Sequence, residues 1–134
     1  MITLSTFKDR IDITREWAKR CARNHYYSLE YLRGIFDGQS RLILDLVNCL
    51  DESQYPQLIK SEDKDLVGYV DVFDFFYPIY LDDNGQCYYT KIEDKEHSFG
   101  TYNTEIIQEL VSLVLSNMIT KIWKEVERIY HEQS

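Results

Sequence analysis

The apolar residues between positions 107 and 129 recur every three or four residues. This spacing places them on one side of an α-helix, and that side must be buried against another layer of structure. Asn103 or Thr104 can cap the first turn by accepting a backbone N–H bond. We therefore expect a final helix of about six turns. The residues on its predicted buried side are Ile107, Val111, Val114, Met118, Ile122, Val126 and Ile129.

Residues 7–32 show the same spacing and predict one long first helix, with a bend near Asn24 as an alternative. Its candidate caps are Ser5 and Thr6 at the start and Gly34 and Gly38 at the end. The residues on its predicted buried side are Phe7, Ile11, Thr14, Ala18, Cys21, His25, Leu29 and Leu32. The positive charges lie mainly off that side.

A second helix is predicted over residues 41–50, and Ser40 can cap it. This run is apolar on every side, so a helix there is expected near the centre of the fold. The acids Asp51 and Glu52, followed by Pro56, mark its end.

Residues 61–77 fit either a strand or a helix. Their valines and phenylalanines have strand propensity, yet several apolar residues share one helical stripe. A strand would place Asp71 and Asp74 on opposite faces, whereas a helix from Ser61 gathers acids in its first turn, where the helix dipole favours them. We therefore predict a third helix, ended by Pro78. The stripe consists of Leu66, Tyr69, Val70, Phe73, Phe76 and Tyr77.

Asn84–Gly85 lies between two β-prone runs, 79–83 and 86–92. A type I′ turn prefers this pair, so the segment predicts a β-hairpin, which must pack on helices or pair with another strand. The chain is thus predicted to be mainly α, a helical bundle with one inserted β-hairpin in the order α-α-α-β-β-α. An α+β fold is the alternative. A length of 134 residues predicts a single compact domain over 1–134.

The charge of the chain is concentrated in its middle. The formal net charge is −8, and residues 51–96 carry most of the acids, whereas residues 1–33 are net positive. A surface of one sign attracts partners of the other sign over long range. The acids also alternate with tyrosines and phenylalanines, and exposed tyrosine beside charge is typical of protein interfaces. The alternative is a solvated polar face that keeps the protein soluble.

The predicted contact surface is a belt of acids and tyrosines between residues 62 and 96. Carboxylates three or four residues apart on a helix lie roughly 5–6 Å apart. That spacing is near the one between successive phosphates on a nucleic-acid strand, so the belt can occupy a cationic groove. The predicted partner-binding residues are Glu62, Asp63, Asp65, Asp71, Asp74, Tyr77, Tyr80, Asp82, Asp83, Tyr88, Tyr89, Glu93 and Asp94, with Glu96 beside them.

Arg20, His25 and Tyr27 form the pattern Arg-x4-His-x-Tyr. It resembles the motif of the HEPN ribonucleases, small helical-bundle proteins that cleave RNA as dimers. The resemblance implies a catalytic role for Arg20 and His25 at a dimer cleft. In that family the motif usually lies in a late helix and encloses apolar residues, whereas here it lies early and encloses Cys21-Ala-Arg-Asn24. A hydrogen-bonded His25 on the buried side of the first helix is the alternative.

A second likeness concerns residues 118–130, Met-Ile-Thr-Lys-Ile-Trp-Lys-Glu-Val-Glu-Arg-Ile-Tyr. This segment is similar to the C-terminal helix of the phage overcome-classical-restriction family, acidic helical proteins that mimic DNA. The family's helix is more acidic, whereas this one carries Lys121, Lys124 and Arg128. The likeness implies a DNA mimic acting against nucleic-acid enzymes.

The cysteines predict neither a disulfide framework nor a metal centre. Cys21, Cys49 and Cys87 stand alone in three segments. Cys21 and His25 are four residues apart and supply half of a conceivable metal site, but no second pair of ligands follows. We expect no metal and no cofactor. The first residues form no apolar run of signal-peptide length, so a cytoplasmic location without membrane insertion is expected.

These patterns predict a small acidic binding protein rather than an enzyme. We expect it to inhibit a cationic partner, as immunity proteins inhibit a nuclease or toxin. One alternative is a DNA mimic directed against restriction or other defence enzymes, and another is a HEPN-like ribonuclease. The expected partner is a basic protein such as a nuclease toxin or a nucleic-acid-binding enzyme, with no direct contact to nucleic acid. A homodimer is an open alternative.

Overall fold

The computed structural model describes residues 2–63, 66–101 and 105–132. The chain divides into two compact units. The helical unit combines residues 1–49 with 115–134, and the sheet unit spans residues 50–114.

The element order is two helices, a five-stranded antiparallel sheet and a final helix. The predicted mainly α bundle with one hairpin is therefore wrong, and the architecture is closer to the α+β alternative. The main difference is that the segment predicted as a third helix forms strands.

Two helices open the chain: α1 spans Leu4–Asn24 and α2 spans Leu29–Leu46. The single long helix predicted over residues 7–32 is wrong, because His25 adopts the left-handed conformation with a φ of 49° and a ψ of 42°. A residue in this conformation ends a helix. Ser28 then caps α2 by accepting a hydrogen bond from the Tyr31 backbone N–H at 3.2 Å.

The other boundary predictions for these helices also need correction. Thr3 caps α1 through a reciprocal capping box with Thr6, so the predicted caps lie inside the helix. Gly34, Gly38 and Ser40 lie in the interior of α2 rather than at a boundary. The apolar run after Ser40 is not buried on every side.

The core of the helical unit joins α1 and α2 to the second part of α3, which spans Glu105–Glu132. The rings of Phe36 and Trp123 lie 5.2 Å apart between centroids. Lys19 Nζ lies 2.8 Å from Glu125 Oε1, and this bond lowers the pKa of the Glu125 carboxyl. The long final helix is confirmed, whereas its predicted caps, Asn103 and Thr104, lie outside the described residues.

α3 is the one helix within the described residues that is long and apolar enough to cross a membrane by length and composition. Buried core helices meet the same criteria. In its most apolar 18-residue window, 44% of the residues are buried inside the protein.

The sheet unit contains five strands in sequential order. They are β1 Leu58–Lys60, β2 Leu66–Val72, β3 Phe75–Leu81, β4 Tyr88–Ile92 and β5 Lys95–Gly100. Each strand pairs antiparallel with the next, so the sheet is a meander. The hairpin predicted around Asn84–Gly85 is present as the β3–β4 pair, joined by a longer loop.

The segment predicted as a third helix forms β2 and the start of β3. Along β2 the buried side chains alternate with more exposed ones, which is the two-residue period of a strand with one buried face. Phe73 and Asp74 form the turn with φ values of 56° and 68°, as a type I′ turn requires. The buried residues of β2 are Leu66, Gly68, Val70 and Val72.

Pro78 lies inside β3 instead of ending a helix. Proline cannot donate a backbone hydrogen bond to a neighbouring strand. The register between β3 and β4 begins only at Ile79, and the buried Thr90 hydroxyl donates to the Pro78 carbonyl oxygen at 2.7 Å. The Thr90 hydroxyl thus supplies a hydrogen bond between β3 and β4 at Pro78, where the two backbones are not paired.

Candidate protein-binding surface

One face of the sheet is the candidate site. Residues directly opposite one another on antiparallel strands project from the same face. The register pairs Tyr69 with Pro78, Asp71 with Phe76, and Tyr80 with Tyr89. Alternation along the strands completes this set, which we call the outer face. The outer face consists of Ile59, Tyr69, Asp71, Phe76, Pro78, Tyr80, Tyr89, Lys91, Glu96 and Ser98.

The outer face exposes large apolar side chains. Phe76 is 61% exposed, Ile59 is 51% exposed and Tyr69 is 38% exposed. Contiguous exposed apolar surface rimmed by polar groups is typical of interaction sites, and aromatic side chains dominate the energetics of such sites.

Two tyrosines form a preorganised part of this face. The rings of Tyr80 and Tyr89 are stacked with centroids 5.1 Å apart. Lys91 Nζ lies 5.6 Å from the centre of the Tyr80 ring, within the range of a cation–π contact. Rings that are held by their neighbours lose little conformational entropy when a partner packs on them.

The predicted acids are not gathered on this face. Antiparallel strands place alternate loops at opposite ends of a sheet, so the loop acids separate into two groups. The loops at one end hold Glu62, Asp63, Asp82 and Asp83, and the turns at the other end hold Asp74, Glu93 and Asp94. Seven-residue strands separate the two ends by roughly 20 Å. Asp65 lies outside the described residues.

Asp71 and Glu96 are the predicted acids that lie on the outer face itself. Asp71 is opposite Phe76, and Glu96 is opposite Lys91. One carboxylate oxygen of Asp71, Oδ1, is buried and has no hydrogen-bond partner among the described residues. The helix on which Asp71 and Asp74 were expected is absent, so the predicted helical ladder of acids does not form.

Asp82 has a structural role in the β3–β4 loop. Its Oδ1 accepts hydrogen bonds from the backbone N–H groups of Gln86 at 2.8 Å and Cys87 at 3.1 Å. These bonds stabilise the charged form and hold the pKa of the Asp82 carboxyl below its ordinary value. The Gly85 N–H also donates to the Asp82 carbonyl oxygen at 2.9 Å. The predicted type I′ turn on Asn84–Gly85 does not form, because Gly85 has a positive φ and Asn84 does not. The bonds to Asp82 organise the loop instead.

The four predicted tyrosines divide between the two faces. Tyr80 and Tyr89 lie on the outer face, as described above. Tyr77 is opposite Val70 and Tyr88 lies two residues before Thr90, so both share the face that contains the buried side chains. They are half-buried. Of the predicted tyrosines, Tyr80 and Tyr89 are thus placed to meet a partner on the outer face.

Three cations of the positively charged segment 1–33, namely Arg15, Lys19 and Arg33, form ion pairs within the described residues. Arg15 pairs with Asp12, and Lys19 with Glu125, all within the helical unit. Within the described residues, Asp71, Asp74 and Asp94 enter no ion pair.

The residues of the HEPN-like pattern do not share one helix. Arg20 is exposed near the end of α1, and Tyr27 lies in the connection to α2. His25 is exposed rather than buried, and its ring stacks on Tyr130 with centroids 4.1 Å apart and an interplanar angle of 10°. His25 Nε2 lies 3.0 Å from the Tyr130 carbonyl oxygen, which can only accept, so Nε2 carries a proton.

The three thiols lie in different environments. Cys21 is buried, which raises the pKa of its thiol, whereas Cys49 and Cys87 are exposed. All three are free. No group of three or more histidine, cysteine, aspartate or glutamate side chains in 2–63, 66–101 and 105–132 is placed to hold a metal ion.

The outer face includes residues that were not predicted as contacts. Ile59, Tyr69 and Phe76 are 51%, 38% and 61% exposed, whereas the helical interpretation had placed Tyr69 and Phe76 on one stripe of a helix. The alternation of Tyr69 and Asp71 with Gly68, Val70 and Val72 carries the signal that identifies this face.

Comparison of the chain with protein-family models, with curated proteins and with solved structures gives no match.

Proposed function

We propose that this protein binds a basic protein through the outer face of its sheet and inhibits it, in the manner of an immunity protein. The observation that carries the proposal is the exposure of Ile59, Tyr69 and Phe76 on the outer face of the sheet. Leaving these apolar side chains in water costs free energy that a docked partner recovers.

The charge of the chain supports a basic partner. The acids at the two ends of the sheet flank the outer face, and Asp74 and Asp94 are free of ion pairs within the described residues. An anionic rim around an aromatic centre is the usual arrangement of an interface in which charge steers association and rings supply affinity. The net charge of −8 adds long-range attraction for cationic surfaces.

The proposal assigns separate tasks to rings and acids. The rings determine how long the complex lasts, because they are desolvated in it. The acids determine how fast it forms, because long-range attraction acts before contact. Salt therefore slows association, since the screening length falls below about 10 Å as ionic strength rises above 0.1 M.

The test begins with capture of binding proteins from the native cell on the immobilised protein at low and at high salt. The captured protein is then purified and its own activity is measured with and without this chain. We expect a basic protein whose activity falls on binding and whose association slows in salt. A partner that is acidic, or that keeps full activity in the complex, contradicts the proposal.

A matched pair of variants assigns the binding to the sheet. Phe76 and Tyr31 are 61% and 60% exposed, but Phe76 lies on the outer face and Tyr31 on α2. Phe76→Ser is expected to lose the partner, and Tyr31→Ser to keep it. Sedimentation of the protein alone tests whether a second copy of the chain binds the outer face. A homodimer that Phe76→Ser dissociates would make this face a self-association surface.

A further inference from the structure

The outer face contains a carboxylate between two exposed aromatic side chains, and one of its oxygens has no partner among the described residues. Asp71 lies on β2 with Tyr69 two residues before it on the same face and Phe76 directly opposite on β3. The Asp71 Oδ1 atom is buried and has no hydrogen-bond partner among the described residues. A buried carboxylate oxygen without a donor costs about 1–3 kcal/mol or more, so a ligand that supplies a donor recovers that free energy.

From this arrangement we infer that Asp71, Tyr69 and Phe76 form a binding site for an arginine side chain of the partner protein. The inference rests on the proposed function and identifies the chemical group that the outer face recognises. A guanidinium group is planar and carries five donors, so it can bond to both carboxylate oxygens while its plane lies against a ring. Lysine offers a strongly hydrated point charge and matches this site less well.

The exposure of the flanking rings makes the site accessible. A donor reaches the buried oxygen only if a neighbouring side chain turns aside, and Phe76 is 61% exposed and Tyr69 is 38% exposed. Exposed side chains change rotamer within nanoseconds. Each ring can then cover the bound guanidinium on one side and exclude water from its bond to Asp71.

Another contact on the same face indicates that its rings accept positive charge. Lys91 Nζ lies 5.6 Å from the centre of the Tyr80 ring. Unlike Tyr80, the Asp71 region holds no cation of its own, since Asp71 enters no ion pair within the described residues. A cation from a partner therefore complements a carboxylate on the outer face that forms no ion pair within the described residues.

The test uses the blocked peptide acetyl-Gly-Arg-Gly-amide as a probe, followed through the backbone amide signals of the isotope-labelled protein. The control peptides carry lysine or citrulline, and citrulline keeps the shape of arginine without its charge. We expect saturable shifts at Tyr69, Asp71 and Phe76, with a dissociation constant on the order of millimolar for a single side chain. Citrulline should bind about tenfold more weakly or not at all, because it forms no charge-assisted bonds.

Two aspartate variants complete the test. Asp71→Asn keeps the shape of the side chain and should remove the arginine-specific shifts. Asp9→Asn changes an exposed acid on α1 and should leave them unchanged. Equal shifts with citrulline, or arginine shifts that persist in Asp71→Asn, overturn the inference.

Failure of the arginine site can be distinguished from failure of the proposed function. If Phe76→Ser loses the basic partner but the arginine probe shows no dependence on Asp71, the docking face stands and the arginine site fails. If the arginine probe binds at Asp71 but Phe76→Ser does not change the binding of the partner, the arginine site stands and the proposed use of the outer face fails.

Discussion

Asp71 lies directly opposite Phe76 in the register of β2 and β3, with one carboxylate oxygen buried and without a hydrogen-bond partner among the described residues. An acid in this setting weakens the fold, because aspartate has low strand propensity and its desolvated oxygen gains nothing in return. Residues that reduce stability in this way are characteristic of binding sites.

The first prediction is that Asp71→Val stabilises the protein by about 1–2 kcal/mol while weakening its binding to the basic partner. Urea unfolding measures the stability. Ser98→Val, also on the outer face, is the control for strand propensity alone. A loss of stability in Asp71→Val would indicate that the carboxylate has a structural partner.

The second prediction concerns the response of the β3–β4 loop to low pH. Hydrogen bonds from two loop N–H groups hold the pKa of Asp82 below its ordinary value in the folded state. A carboxyl with a lowered folded-state pKa contributes stability above its unfolded pKa and loses it as the pH falls through the folded pKa. The amide signals of Gln86 and Cys87 should therefore move together in the acid range, below the titration of an ordinary aspartate.

Asp82→Asn provides the control for this titration, because an amide does not ionise there. The shared acid transition of the two amides should vanish in this variant. If it persists, a different group controls the loop.

The third prediction concerns the close approach of two strands. A Cβ atom added at Gly68 would lie 2.3 Å from the Ile59 carbonyl oxygen on β1, so Gly68→Ala forces the strands apart. We expect a loss of about 1–3 kcal/mol, and faster hydrogen exchange of the β1 amides than of the β3 amides. At Gly34 a Cβ meets nothing within 4 Å, so Gly34→Ala should be neutral or stabilising. Equal effects of both substitutions would contradict the close approach.

The fourth prediction is that Ser40→Ala stabilises the helical unit. The Ser40 hydroxyl oxygen is buried without a hydrogen-bond partner among the described residues. Ser40 also borders a small, mainly apolar void lined in addition by Phe36, Ile43 and Ile122. Alanine removes the unsatisfied group and is the better helix former, so a gain of about 1 kcal/mol is expected in thermal unfolding. Destabilisation would instead show that the hydroxyl has a partner such as buried water.

The sequence predicts the final helix and the β3–β4 pair because their signals are local. Three-or-four spacing is sustained along α3, and Asn84–Gly85 marks a turn between β-prone runs. The helix break at His25 could not be predicted in the same way, since residues other than glycine rarely adopt the left-handed conformation.

The strands β2 and β5 are not predicted from the sequence, for a related reason. The turns that flank them place Phe73, Asp74, Glu93 and Asp94 at positive φ without a glycine or asparagine to mark the position. Without a visible turn, residues 61–77 presented a helical stripe as good as their strand alternation. That error placed Tyr69 and Phe76 on one stripe of a helix instead of on the exposed face of a sheet, and so concealed the outer face.

The most direct test of the central claim is the dissociation constant of the complex with the captured basic partner for Phe76→Ser, measured beside Tyr31→Ser. The two wild-type rings are almost equally exposed, so the loss of an exposed ring cannot by itself explain a difference in affinity between the variants. We predict that Phe76→Ser weakens binding about thirtyfold or more, as expected for an interface hot spot, and that Tyr31→Ser changes it less than about threefold. Equal affinities for the two variants would contradict the assignment of the outer face as the docking surface.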